Sequence, residues 1–153
     1  YLNKAGIIKF IYMKLTNKGR YAVQALADLA RIKDQKPTNL TEISLRQGIS
    51  ISFLEQIFLK LKKKNLVKSS RGPNGGYTLT RSPEQIRLSN IIHAVDEKVK
   101  TVACKKDSKK GCNGKSMKCI THNLWDDLEH HINLFFESNT LKDIIYKFEK
   151  NNH

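Results

Sequence analysis

The sequence predicts a mostly α fold with one small β-hairpin: a winged helix-turn-helix followed by a long C-terminal helix and a shorter last one. Three observations carry this. Apolar residues recur at helical spacing in segments opened by Asn, Ser or Thr. A single glycine, Gly48, separates two of those segments. A glycine-rich turn joins two short strand-like runs directly after the second of them.

The elements follow in order. Asn17 is placed to cap a helix over 18–33, whose apolar positions include Tyr21, Ala25, Leu26, Leu29 and Ile32. Lys36-Pro37-Thr38 breaks it. Asn39 and Glu42 have the spacing of a capping box, opening a short helix over 40–47. Gly48 supplies the positive φ that ends it. Ser50 or Ser52 caps the next helix, which runs to about Lys64. The period then changes: 66–70 reads as a strand, Arg71-Gly72-Pro73-Asn74-Gly75-Gly76 as a turn, and 77–80 as the returning strand. Ser82-Pro83 starts a connection, and Ser89 is placed to cap a helix over 90–97. Residues 101–118 show no periodicity and read as loop. Thr121 opens a long helix to about Glu137, with Leu124, Leu128, Ile132 and Phe135 in one stripe and Trp125 and Phe136 beside it. Thr140 caps a last helix carrying Leu141, Ile144, Ile145 and Phe148. The sequence shows no internal repeat.

The 153 residues suit one compact domain, or a small domain with a helical appendage, and 39% hydrophobic content is enough for a core. The net charge of +14 favours a polyanionic partner, nucleic acid or an anionic membrane surface. That charge is localised: residues 13–100 carry +10 and 101–122 carry +5, while 123–153 carry −3. A uniform compositional bias toward lysine would not spare the tail, so the pattern points to a localised polyanion-binding surface. Three cysteines, an odd number, and no secretory signal place the chain in a reducing cytoplasm. The chain begins with Tyr1, and its first methionine is Met13. Residues 1–12 therefore read as a non-native or disordered extension. Their apolar stretch, Ile7 to Tyr12, is too short to span a bilayer, and membrane association is the competing reading.

Around Gly48, apolar Ile43, Ile49, Leu54 and Ile57 lock two helices at a steep angle. The second helix then presents Ser52, Glu55, Gln56, Lys60, Lys63 and Lys64 outward. Serine, glutamine and lysine suit base edges or phosphates; Glu55 is tolerated where it accepts from a cytosine amino group. A plain αα-hairpin would share the apolar spacing, but the hairpin that follows reads as a wing. Arg71 on its thin tip fits a narrow minor groove. The glycine-rich turn lacks the strand-loop-helix order of a phosphate-binding loop.

All three cysteines and one histidine fall within 19 residues: Cys104, Cys112, Cys119 and His122, spaced C-x7-C-x6-C-x2-H. Three thiolates and an imidazole suffice for tetrahedral zinc or an iron–sulfur cluster. Structural zinc sites favour tight C-x2-C pairs, whereas the wide spacing suits a larger cluster wrapped by a loop. The lysines at 105, 106, 109, 110, 115 and 118 lower thiol pKa values and offset the charge of a thiolate-ligated centre. Nucleophilic catalysis by a cysteine is disfavoured, because no general base with an orienting partner is visible. No catalytic residue is assigned, and the chain does not read as an enzyme. His93, His130, His131 and His153 read as ordinary helix or tail residues.

With these features together, the chain resembles the winged-helix repressor family of IscR, NsrR and RirA. The matching stretches are MKLTNKGRYAVQALADLA, SLRQGISISFLEQIFLKLKKKNLVKSSRGPNGGY, IIHAVDE and the C…GC…KC-x2-H-x2-W block, over roughly residues 13–145. The resemblance implies a homodimer on a pseudo-palindromic DNA operator, with the helix after His122 as dimerisation element and Leu124, Leu128, Ile132 and Phe135 as its seam. It implies a 2Fe–2S cluster on Cys104, Cys112, Cys119 and His122, with a 4Fe–4S cluster in some relatives that sense nitric oxide or iron. It also implies control of iron–sulfur assembly genes. Ser52, Phe53, Glu55 and Gln56 fall in the recognition helix and Arg71 in the wing; in that family the glutamate matching Glu55 helps to discriminate operator classes. The cysteine spacings here are longer than the family's usual C-x5-C-x5-C. The expected DNA-contacting set is Arg20, Ser50, Ser52, Phe53, Glu55, Gln56, Lys60, Arg71 and Gly72. The expected organisation is an extension over 1–12, a DNA-binding domain over 13–98, a cluster-binding loop over 99–120, and dimerisation and last helices over 121–150. The alternatives are a related regulator of the same family that senses nitric oxide or iron, and a zinc-stabilised DNA-binding protein without redox sensing.

Overall fold

The computed structural model describes residues 16–97, 99 and 120–152. The extension over 1–12, Cys104, Cys112, Cys119 and nearly all of the loop between 99 and 120 lie outside them. Two compact units divide the chain: Leu15–Lys98 with Leu134–His153, and Tyr1–Lys14 with Val99–Asn133.

The first unit holds the helix-turn-helix and its wing. Helix α1 spans Asn17–Ala30, α2 spans Leu40–Gln47 and α3 spans Ile51–Lys63. Strand β1, Val67–Ser70, pairs antiparallel with β2, Gly76–Leu79, with Val67 opposite Leu79. Helix α4 spans Leu88–Ala94, and α6 spans Leu141–Asn151. The core joins Ala22, Ala25, Leu26 and Leu29 of α1 to Ile43 of α2 and to Leu54, Ile57, Phe58 and Leu61 of α3. Ile86, Ile91 and Leu141 complete it from the other side. In the second unit begins α5, His122–Ser138, the long helix expected after the loop. Among the described residues, no helix is long and apolar enough to cross a membrane.

Several local expectations hold. The Asn39 carboxamide oxygen accepts from the Glu42 backbone N–H at 2.9 Å, and its amide donates to the Glu42 side chain at 3.0 Å. Gly48 adopts φ +66°, and the Thr140 hydroxyl accepts from the Asp143 N–H, so both helix signals work as their residue types require.

Other boundaries moved. Thr16, not Asn17, caps α1, because a distant carboxylate holds Thr16 extended. Helix α1 ends at Ala30, three residues before Lys33. The Arg31 and Ile32 N–H groups reach back only three residues, and Asp34 and Gln35 then take positive φ ahead of Lys36-Pro37. Of the two caps expected for α3, Ser50 is the one used, its hydroxyl accepting from the Phe53 N–H at 3.4 Å, as expected. Leu66 precedes the strand but still accepts from the Thr80 N–H at 3.2 Å. Ser89 does not cap α4. The helix begins two residues earlier than expected, at Leu88, where the Asn90 side chain accepts from the Arg87 N–H at 3.0 Å and the Leu88 N–H reaches the Asn139 carbonyl at 2.9 Å. Helix α4 ends at Ala94, ahead of Asp96 at φ +58°.

Candidate nucleic-acid interface

Helix α3 is amphipathic, and its two faces are sharply different. Leu54, Ile57, Phe58 and Leu61 are buried, whereas Ser52, Glu55, Gln56 and Lys63 are exposed. The tight turn that positions this face is built from Gly48, Ile49 and Ser50. Ile49 is buried as an anchor, and Ser50 satisfies an N–H at the start of α3. Of the residues expected on the outward face of α3, all are exposed but Lys60, which is half-buried, as is Phe53 of the expected DNA-contacting set. Phe53 is half-buried, with its ring edge-to-face against Tyr21 at 5.5 Å. Lys60 is paired with Asp96 at 2.8 Å, and that ammonium holds the Asp96 carboxyl below its usual range. Both side chains thus have a partner within the first unit.

The wing is fixed to the rest of the first unit rather than left as a free hairpin. The Thr38 N–H donates to the Tyr77 carbonyl at 3.0 Å, and the Tyr77 N–H returns to the Thr38 carbonyl at 2.8 Å. The Tyr77 ring packs edge-on against Phe58 of α3 at 4.8 Å. A Cβ at Gly76 would meet the Thr38 carbonyl carbon at 2.4 Å, so this close approach requires glycine. The tip, Arg71 and Gly72, is exposed, with Gly72 at φ +110°. Lys62 of α3 donates to the Ser69 hydroxyl of β1 at 2.7 Å, a further tie between recognition helix and wing.

Arg20 is exposed on α1, at a groove of about 680 Å³ that it shares with Gln24, Arg46 and Gln47 and with Ile144 and Phe148 of α6. Phe53, Gln56 and Lys60 instead line a hollow with Lys18 and Val95. The nine expected DNA-contacting residues are therefore distributed over α1, α3 and the wing, with Ser52, Glu55, Gln56, Arg71 and Gly72 exposed on the last two.

Two positioning groups escaped the sequence reading. Buried Glu97 accepts from the Thr16 N–H at 3.1 Å, the Gly19 N–H at 3.0 Å and the Thr16 hydroxyl. Burial pushes its carboxyl up, but those hydrogen bonds and nearby Lys18 outweigh it and hold the group below the usual range. Buried Asp28 accepts from Arg46 Nη2 at 2.8 Å, from Arg46 Nε at 3.1 Å and from the Gln47 amide at 2.7 Å, joining α1 to α2. The Asp28 hydrogen bond raises the Arg46 pKa against the opposing cost of burial. Polar residues at the ends of amphipathic helices were the available signal, but their partners lie far away along the chain.

Of the expected metal ligands, His122 is described: it is buried and opens α5. The three cysteines lie outside the described residues. The donor set itself, three soft thiolates with one imidazole, fits an iron–sulfur centre and equally fits zinc.

Comparisons with known proteins agree with this architecture. A family model described as Rrf2, an iron-dependent transcriptional regulator, matches residues 15–147. The HTH-type transcriptional regulator IscR of Aliivibrio salmonicida is 47% identical over 133 residues, which cover 87% of this chain and 77% of that protein. IscR of Sodalis glossinidius is 48% identical over 133 residues, which cover 87% of this chain and 79% of that protein. Among solved structures, T. potens IscR superposes with a TM-score of 0.73 at 34% identity, covering 92% of this chain and 91% of that one. CymR, the global cysteine regulator of B. subtilis, gives 0.74 at 28% identity, covering 89% and 98%.

Proposed function

The chain belongs to the Rrf2 family of transcriptional regulators, and we propose that it is a DNA-binding regulator of the IscR type that acts in the cytoplasm, mainly as a repressor of iron–sulfur assembly genes. The observation that carries the reading is the exposed face of α3 beside a wing locked to the same unit, with Arg71 at its tip. Ser52, Glu55 and Gln56 read base edges in the major groove, Arg71 enters the minor groove, and surrounding lysines neutralise phosphates. A homodimer formed along α5 sets two such readers on the two halves of a palindromic operator.

In this reading Cys104, Cys112, Cys119 and His122 hold a 2Fe–2S cluster, whose occupancy sets operator affinity or choice. A bound cluster supplies sensitivity to iron supply and to oxidation. The contribution of this chain is a histidine ligand at the first residue of α5, so that the ligand set and the dimerisation helix share a boundary. The abundant lysines between the cysteines balance the negative charge of the thiolates.

The test is an absorption and Mössbauer spectrum of protein isolated without oxygen, with iron and sulfide counted, followed by salt-matched gel-shift assays before and after cluster removal. Visible absorbance with stoichiometric iron and sulfide, and a changed affinity or choice among duplexes after removal, are expected. Colourless protein with one zinc per chain and unaltered DNA binding overturns the sensing reading in favour of a zinc-stabilised DNA-binding protein.

A further inference from the structure

Helix α3 has an outward residue that no hydrogen-bonding role explains. Leu59 is 68% exposed, while Leu54, Ile57, Phe58 and Leu61 already fill the inner face at 2% exposure or less. At about 100° per residue it falls on the same outward stripe as Ser52, Glu55, Gln56 and Lys63, one turn beyond Glu55. A lone exposed leucine is ordinary. Leu59 does not stand alone: with Phe53, Ile57 and Val95 it lines a hollow of about 340 Å³, edged by Lys18, Gln56 and Lys60.

We propose that Leu59 is a specificity-determining residue that packs on a thymine methyl group in the major groove; this deepens the DNA-binding reading above and rests on it. The chemistry leaves little choice. Among the base edges of the major groove, the C5-methyl of thymine is the apolar feature, and every other marker is a hydrogen-bond donor or acceptor. A leucine on a recognition stripe can gain from the first and can only desolvate the others. Exposed Lys18 at the edge of the hollow favours a polyanion at this face, and Gln56 beside Leu59 keeps the neighbouring base edge polar. Because Leu59 follows Glu55 by one helical turn, the thymine it reads lies within one or two base pairs of the base that Glu55 meets.

The experiment uses the full chain prepared without oxygen and a duplex that it selects itself from random sequence. Thymines are replaced one at a time by deoxyuridine, which removes only the methyl group, and affinities are compared by competition. At one position in each half-site the wild-type chain should lose about fourfold, the worth of one buried methyl group. Leu59→Ala should bind the thymine and uracil duplexes equally, and Leu59→Met, still apolar and exposed, should keep the discrimination. If the selected duplex is bound but no thymine position distinguishes wild type from Leu59→Ala, the proposal is wrong and the DNA-binding reading stands. The same holds if Leu59→Ala changes only self-association, which would make Leu59 a protein contact. If the chain selects no duplex, both readings fall.

Discussion

Glu97 closes the N-terminus of α1 from 81 residues away along the chain. A helix start leaves four N–H groups unpaired, and here one carboxylate takes two N–H groups and a hydroxyl. Glu97→Gln keeps the size and removes the charge, so it should cost about 1–3 kcal/mol of stability. The pH dependence follows from the direction of the shift. A carboxyl held below its unfolded value, about 4.3 for glutamate, contributes its full stabilisation above that value and loses it as the pH falls through the lower folded value. Urea denaturation should therefore show the largest gap between wild type and variant near neutrality, shrinking on acidification below about pH 4. A gap that grows toward acid would contradict the assignment. Gly76 acts at the same scale by a different means: its missing side chain lets β2 touch the chain at Thr38. Gly76→Ala should cost about 1–3 kcal/mol, because the obstruction is backbone that cannot swing aside.

Between elements, the wing and the recognition helix behave as one piece, tied by Thr38–Tyr77, Tyr77–Phe58 and Lys62–Ser69. The exposed Arg71 tip is thus presented at a set position relative to α3. Arg71→Ala should weaken operator binding about tenfold and flatten the preference for narrow-groove sequence without changing the melting temperature. Unchanged affinity in a salt-matched shift assay would remove the wing from the mechanism. The elements most legible in the sequence are those whose signals are local. Asn39 with Glu42, Gly48 and Thr140 each act within four residues, so the sequence alone places them. Local propensity misled where a long-range partner decides the boundary. Thr16 rather than Asn17 caps α1 because Glu97 reaches it, and α4 begins ahead of Ser89 because Leu88 is bonded to Asn139. The same reason hides Asp28: a buried acid on an apolar helix face looks like an error until Arg46 and Gln47 of α2 arrive. The outward face of α3 was legible because helical periodicity alone separates it from the core, whereas the pairing of Lys60 with Asp96 was not.

Across the molecule, the uneven charge makes a measurable statement about stoichiometry on DNA. Residues 13–100 carry +10, and α5 carries four acids without a single lysine or arginine. On the proposed reading the basic stretch that ends at Lys118 meets the phosphates, while α5 meets another α5 through its apolar stripe. In that stripe Leu124 and Phe135 are exposed, and Leu128 and Ile132 are half-buried. Each phosphate contact contributes a slope of about −0.9 to the logarithmic dependence of affinity on salt. A dimer on two half-sites sums the contacts of both subunits; a monomer reports half of them. In the proposed dimer, Leu128→Asp places a charge in the middle of the seam, where a like charge from the partner would face it at close range. Light scattering should then give the mass of one chain, with helical circular dichroism retained. Affinity for a two-half-site duplex should fall at least tenfold, and its salt slope should drop to about half that of the wild type. A variant that is monomeric yet keeps the full slope would show that one subunit makes all the phosphate contacts, and would separate dimerisation along α5 from DNA binding altogether.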